Sequence, residues 1–190
     1  PFAVESSILD GEIWFVSNRL AKVGGSVDLN LALFLGHFER ALCASTPEGS
    51  LVKVLLINPT FSAIFPSDYG RPALYEPLGL AYLAAALREA GHEPAILDCV
   101  AEGWRVRQRD GGFTRIGLTD LQILERVRKA KPEVIGVTSE FTGFERDSLR
   151  IAALVKEAMP SIPVLFGGAD ATARASEFIA NANVDLVIRG

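Results

Sequence analysis

Apolar positions fall into two regimes along the chain. From residue 51 onward, short and nearly all-apolar runs alternate with longer stretches whose apolar residues recur every three or four positions. Residues 52–57 (VKVLLI), 95–98, 134–138 (VIGVT), 164–166 and 184–188 are of the first kind and predict strands. Residues 77–90 carry Leu80, Leu83, Ala84 and Leu87 on one helical stripe, with Gly91 as the stop. Residues 119–131 predict a second helix, opened by Thr119 with Gln122 at capping-box spacing and closed before Pro132. Residues 145–159 predict a third, facing inward through Ile151, Leu154, Val155 and Ala158, and residues 172–180 a short fourth. Asp110-Gly111-Gly112 marks a turn inside a more polar excursion.

The order is therefore βαβαβαβαβ. Strands apolar on both faces, alternating with helices, predict an α/β fold: a doubly wound (Rossmann-like or flavodoxin-like) five-stranded parallel sheet with helices on both faces. Of the two common strand orders, 2-1-3-4-5 is the expectation. Residues 1–50 are less regular and read as an N-terminal extension of unknown role. They hold a short apolar run at 12–16 that suits a strand, a Gly24-Gly25 break, and a stripe of Leu31, Phe34, Leu35, Phe38 and Leu42 that suits a helix over 29–44. Thr46-Pro47-Glu48-Gly49-Ser50 is a linker, so residues 51–190 form the domain.

Composition narrows the function classes. Apolar residues make up 49% and charged residues 22%, ordinary values for a folded globular chain. The net charge of −4 argues against a nucleic-acid partner. The longest apolar run, residues 78–87, is half of the ~20 residues a membrane span requires. No secretory leader is visible and the two cysteines, Cys43 and Cys99, lie far apart, so a cytoplasmic setting with no membrane partner is expected. Because residue 1 is Pro rather than Met, the natural N-terminus is expected upstream.

In doubly wound sheets ligands bind beyond the carboxyl ends of the strands. The relevant loops are Asn58-Pro59-Thr60-Phe61, then Thr138-Ser139-Glu140-Phe141-Thr142-Gly143, then Gly167-Gly168-Ala169-Asp170. None carries GxxxxGK[ST], GxGxxG or GxSxG, which sets aside a P-loop, a dinucleotide fingerprint and a serine nucleophile elbow. Asn58 and Thr138 stand where a phospho-accepting receiver would carry acidic residues, and Pro59 removes a donor that a flavin-phosphate loop would use. No residue reads as catalytic or as a metal ligand.

Taken together, NPTF after the first strand, YEPLGLAYLAAALREAGHEPAILD, KPEVIGVTSEFT, IPVLFGGADATA and NANVDLVIRG resemble the cobalamin-binding domain that precedes the core of cobalamin-dependent radical S-adenosylmethionine enzymes. The resemblance covers residues 51–190. It implies cobalamin as cofactor, held across the strand ends with its nucleotide tail buried. Asn58, Pro59, Thr60 and Phe61 would then lie under the corrin ring. Thr138 and Ser139 would bond the tail, Gly167 and Gly168 would let it pass close to the backbone, and Phe141, Thr142, Ala169 and Asp170 would also belong to the cofactor-binding set.

The chain departs from related patterns in three places. The wider family of cobalamin carriers often has a DxHxxG motif after the first strand, which is absent here, so neither His37 nor His92 would ligate cobalt from below. The resemblance then implies weak lower ligation, suited to methyl transfer. Relatives often have His at the position of Asp170. No CxxxCxxC is present to hold a [4Fe-4S] cluster, so S-adenosylmethionine and the cluster would belong to a radical catalytic domain in cis or in trans, and this chain reads as a fragment inactive alone.

Local readings compete at single residues. Gly167-Gly168 also suits a plain strand-to-helix turn, Ser139, Thr142 and Asp170 suit helix caps, and Cys99 suits a packed strand end. The alternative for the whole chain is a stand-alone Rossmann-like ligand-binding or signalling module without catalysis.

Overall fold

A computed structural model describes residues 15–17, 51–64 and 75–189. The strands are β1 (Phe15–Ser17), β2 (Lys53–Asn58), β3 (Phe61–Ala63), β4 (Glu93–Asp98), β5 (Arg107–Asp110), β6 (Phe113–Ile116), β7 (Val134–Thr138), β8 (Val164–Gly167) and β9 (Leu186–Ile188). The helices are α1 (Leu78–Glu89), α2 (Cys99–Glu102), α3 (Asp120–Ala130), α4 (Glu145–Ala158), α5 (Ala169–Ala173) and α6 (Ala175–Ile179), with a 3-10 turn at Thr142–Phe144.

The main sheet runs β1-β9-β8-β7-β2-β4. Its five domain strands are all parallel, and numbered among themselves they lie in the order 2-1-3-4-5, as expected from the sequence. The strand expected within residues 12–16 is β1, which adds to the β9 edge antiparallel, Phe15 opposite Ile188. The helix expected over 29–44, with His37 and Cys43, lies outside the described residues.

Alternation along the strands assigns each side chain to a face. One face buries Leu55, Ile57, Ile135, Val137, Val164 and Phe166 against α3, α4, α5 and α6. Phe166 and Phe178 meet there with ring centroids 5.2 Å apart. The other face buries Val54, Leu56 and Leu165 with Leu80, Ala84 and Leu87 of α1. Helices therefore cover both faces, and burial of these strands supplies most of the driving force.

Local signals account for the element ends. Thr119 and Gln122 form the capping box, Gln122 N donating to Thr119 Oγ1 at 3.3 Å and Thr119 N to Gln122 Oε1 at 2.9 Å. Gly91, at φ +90°, ends α1 in a Schellman turn in which His92 N donates to Leu87 O and Gly91 N to Arg88 O. His92 thus sits where β4 begins, at the opposite end of the sheet from the loops that follow the strands.

Three expectations are corrected. The polar excursion is a hairpin, β5 and β6 joined by Gly111 and Gly112 at positive φ, and with β3 it forms a three-stranded antiparallel sheet. The helix placed at 172–180 starts earlier and splits: Gly168 at φ +100° turns the chain directly into α5, which breaks at Arg174 before α6. The inward stripe of α4 is Asp147, Ser148, Ile151, Ala152 and Val155, with Leu154 partly buried and packed against the same core, while Ala158 is exposed.

Candidate functional site

The carboxyl ends of β2, β7 and β8 bring the three candidate loops to one edge. Register aligns Asp98 with Asn58 and Thr138 with Gly167, and all four lie on the α1 face. Asn58 Nδ2 donates to Asp98 Oδ1 at 3.1 Å, and Asp98 also caps α2 by accepting from Val100 N and Ala101 N. Thr138 Oγ1 donates to Glu140 Oε1 at 2.8 Å. A Cβ added to Gly167 would meet no atom of the described residues within 4 Å, although the residue is half-buried. Across from it, a Cβ on Gly79 in the first turn of α1 would find, among the described residues, only Glu140 Oε1, at 3.8 Å. The α1 side of this edge is therefore an open slot with small residues on its walls and Asn58, Thr138 and Glu140 as polar groups.

Gly168 does the opposite. At φ +100° it closes against β7, and a Cβ there would stand 2.6 Å from Ser139 O and 2.9 Å from Thr138 Oγ1. The close approach is fixed by Ser139 N donating to Gly167 O at 2.8 Å and Asp170 N to Ser139 O at 3.0 Å.

Ser139, Thr142 and Asp170 form one network on the other side of that turn. Asp170 accepts from Ser139 Oγ at 3.1 Å, Thr142 Oγ1 at 3.3 Å, Arg174 Nε at 2.8 Å and Arg174 Nη2 at 2.7 Å. Arg174 also pairs with Glu145 and Glu177. The Arg174 guanidinium holds the Asp170 carboxyl below the usual carboxylate range, outweighing its burial. Asp170 is not the cap of α5, which Gly168 occupies. Its four donors leave it little capacity for a ligand, and Ser139 turns its hydroxyl to Asp170 rather than to the slot.

The loop after β2 divides. Pro59 and Thr60 are buried, and Thr60 Oγ1 donates to Asp147 Oδ1 at 2.6 Å, joined by Ser62 Oγ at 3.0 Å. Phe61 is half-buried, its ring 5.3 Å from Phe144, which lies 6.0 Å from Phe141. Phe141 is 70% exposed, and Ile64, Tyr75 and Leu78 are exposed by 77%, 79% and 63%. Ala169 is exposed at the start of α5.

Sequence reasoning missed two participants. Asp147 stands one turn before Ile151 on the apolar stripe of α4, and a carboxylate on such a stripe is the signal that marks it. Burial pushes its carboxyl above the usual range, against the pull of the Thr60 and Ser62 hydroxyls, and its Oδ2 has no partner among the described residues. Gly79, early in α1, costs helix stability of about 1 kcal/mol relative to Ala, so its presence signals a need for space. Cys99 is fully buried, and burial followed by the nearby Asp98 raises its thiol far above the usual range, so it is packing and not a nucleophile. No group of three or more His, Cys, Asp or Glu poised for a metal exists among the described residues, and none of their helices is long and apolar enough to cross a membrane.

A family model described as the B12 binding domain matches residues 71–190. A cytidylyl-2-hydroxyethylphosphonate methyltransferase of Streptomyces wedmorensis is 34% identical over 141 residues, 73% of this chain and 26% of that protein. An uncharacterized methyltransferase of Pyrococcus horikoshii is 29% identical over 122 residues, 64% of this chain and 23% of that protein. The chain thus spans about a quarter of the length of the curated relatives it matches. A cobalamin-binding protein of Desulfitobacterium hafniense superposes with a TM-score of 0.42 at 13% identity, over 80% of this chain and 59% of that one.

Two outcomes follow from the geometry. Gly168→Ala should destabilise the domain by at least about 2 kcal/mol in urea unfolding, and Gly167→Ala by less than about 1 kcal/mol. Equal costs would contradict the contrast between a filled and an open position. Because the folded state raises the Asp147 pKa, its ionisation opposes folding: wild-type stability should fall as pH rises from the ordinary carboxylate range through the raised value. Asp147→Asn keeps the Oδ1 acceptor and should remove that part of the slope; an unchanged slope would contradict the assignment.

Proposed function

Since this chain belongs to the B12-binding domain family, we propose that residues 51–190 hold cobalamin at the carboxyl edge of the sheet and present it to a catalytic partner domain for methyl transfer. The observation that carries the reading is the open slot at Gly167 within the segment that the family model matches. A nucleotide tail needs a passage free of side chains beside the sheet. Gly167 and Gly79 leave that passage, and Asn58, Thr138 and Glu140 offer hydrogen-bonding groups to its polar atoms. The exposed Ile64, Tyr75, Leu78 and Phe141 supply apolar surface for the broad face of a corrin.

Each residue has a stated task in this reading. Phe61 and Phe141, braced by Phe144, support the ring, and Asp147 anchors the Thr60–Ser62 backbone that carries Phe61. The Ser139, Thr142, Asp170 and Arg174 network holds Gly168 against β7 and so keeps the slot's far wall in place. Pro59 and Ala169 contribute shape only. When bound, cobalamin supplies a cobalt-carried methyl group. His92 lies at the amino end of the strands, away from that edge.

The partner domain is proposed to be a radical S-adenosylmethionine domain, in cis or in trans, carrying the iron–sulfur cluster and S-adenosylmethionine. The methyltransferase relatives, about four times as long as the matched segment, support a larger catalytic assembly.

The test is retention of hydroxocobalamin after desalting, read by visible absorption. Wild type should keep about one equivalent with a base-off spectrum, and Gly167→Leu should weaken binding by at least about tenfold while remaining folded. Retention unaffected by Gly167→Leu would contradict the slot as the tail's passage.

A further inference from the structure

The two faces of the main sheet are unequally covered. Among the described residues α2, α3, α4, α5 and α6 all send apolar side chains to one face, and α1 alone covers the other. The α1 helix packs on β2 and β4. Strands stand about 4.8 Å apart and a helix is about 10 Å across, so a helix seated there stops short of β8 and β9, which lie two and three strands beyond β2. Yet Leu165 of β8 and Leu186 and Ile188 of β9, which point to the α1 face, are buried.

The path of the chain indicates what seats there. Strand β1 runs antiparallel to β9, with Phe15 opposite Ile188 and Ser17 opposite Leu186, so Ser17 leaves the sheet at the amino end of the parallel strands. Leu51 leads into β2 at that same end. The two points are three strand spacings apart, about 14 Å, and they bracket β8 and β7. Residues 18–50 hold several times the chain that such a step requires, so they run out and back. As a helix, residues 29–44 measure about 24 Å, close to the ~20 Å of β2. A chain that climbs through Gly24-Gly25 to the carboxyl end and returns as this helix reaches Leu51 through the 46–50 linker. Leu31, Phe34, Leu35, Phe38 and Leu42 fall on one side of that helix, with His37 and Arg40 away from it.

We propose that the α1 face over β8 and β9 is the docking surface for this chain's own residues 29–44, seated as a helix beside α1 and antiparallel to the strands. A parallel sheet requires cover on both faces, and this segment supplies the part that α1 cannot reach. The apolar stripe meets Leu165, Leu186 and Ile188, and Arg40 faces water. The folded unit then begins at β1 rather than at residue 51, and the N-terminal extension has a structural task. The other occupants, residues 1–14, residues 65–74 or a second copy of the chain, are separated by the test. The inference does not depend on what the slot at Gly167 holds.

Nuclear Overhauser contacts to the methyl groups of Leu165, Leu186 and Ile188 in the full chain test it. Cross-peaks to the ring of Phe34 or Phe38 are expected within one chain. Methyls that meet neither ring would overturn the proposal, whether they meet residues 1–14 or residues 65–74 instead. So would contacts seen only between differently labelled chains in a mixed sample, which would make the face an interface between copies. Stability gives a second readout. Phe38→Ala should lower the thermal midpoint by at least about 5 °C, while Arg40→Gln, on the far side of the helix, should move it by less than about 2 °C. A Phe38→Ala midpoint equal to that of wild type would contradict a seated ring.

Discussion

The arrangement of this edge depends on one close approach, the turn at Gly168 against the end of β7. With φ at +100° and a virtual Cβ 2.6 Å from Ser139 O, that position admits glycine alone. The approach lets Ser139 exchange backbone hydrogen bonds with both Gly167 and Asp170, and it starts α5 without a connecting loop. Asp170, gripped by Arg174, Ser139 and Thr142, then locks the turn from the α3–α4 side. One side of the sheet edge is thereby closed by polar contacts, and the other, above Gly167, is left open. Two adjacent glycines serve opposite ends: one permits contact and the other prevents it.

Much of this was legible in the sequence because the parallel strands are apolar on both faces and their helices carry clear stripes and stops. VKVLLI, VIGVT and the Gly91, Thr119 and Gln122 signals fixed five strands, their helices and, with a preference between two common windings, their order. The hairpin β5–β6 escaped because its strands are short and polar: Arg107, Gln108, Arg109 and Arg115 leave no apolar alternation, and Phe113 and Ile116, three residues apart, do not share a face. The early start of α5 escaped because Gly168, not a polar side chain, occupies the cap.

The candidate residues were legible by loop but not by direction. All twelve lie on or beside the carboxyl edge, yet period-two alternation splits neighbours between faces: Thr138 looks to the slot and Ser139 to Asp170. Thr60 and Phe61 divide in the same way, one bound to Asp147 and the other packed with its ring tilted against that of Phe144. Such a split depends on where a strand ends to within one residue, which an apolar run does not mark. Asp147 is the converse case, a carboxylate on an apolar stripe whose meaning appears only when Thr60 and Ser62 meet it from a distant loop.

The central claim is that the ligand's tail enters on the α1 side, between Gly167 and the first turn of α1. Amide NMR during titration with hydroxocobalamin reads this residue by residue. The Gly79 and Gly167 signals should shift on binding while Gly111 and Gly112, at the hairpin tip, stay in place. Shifts confined to the hairpin or to α6, with Gly79 and Gly167 unmoved, would contradict the account.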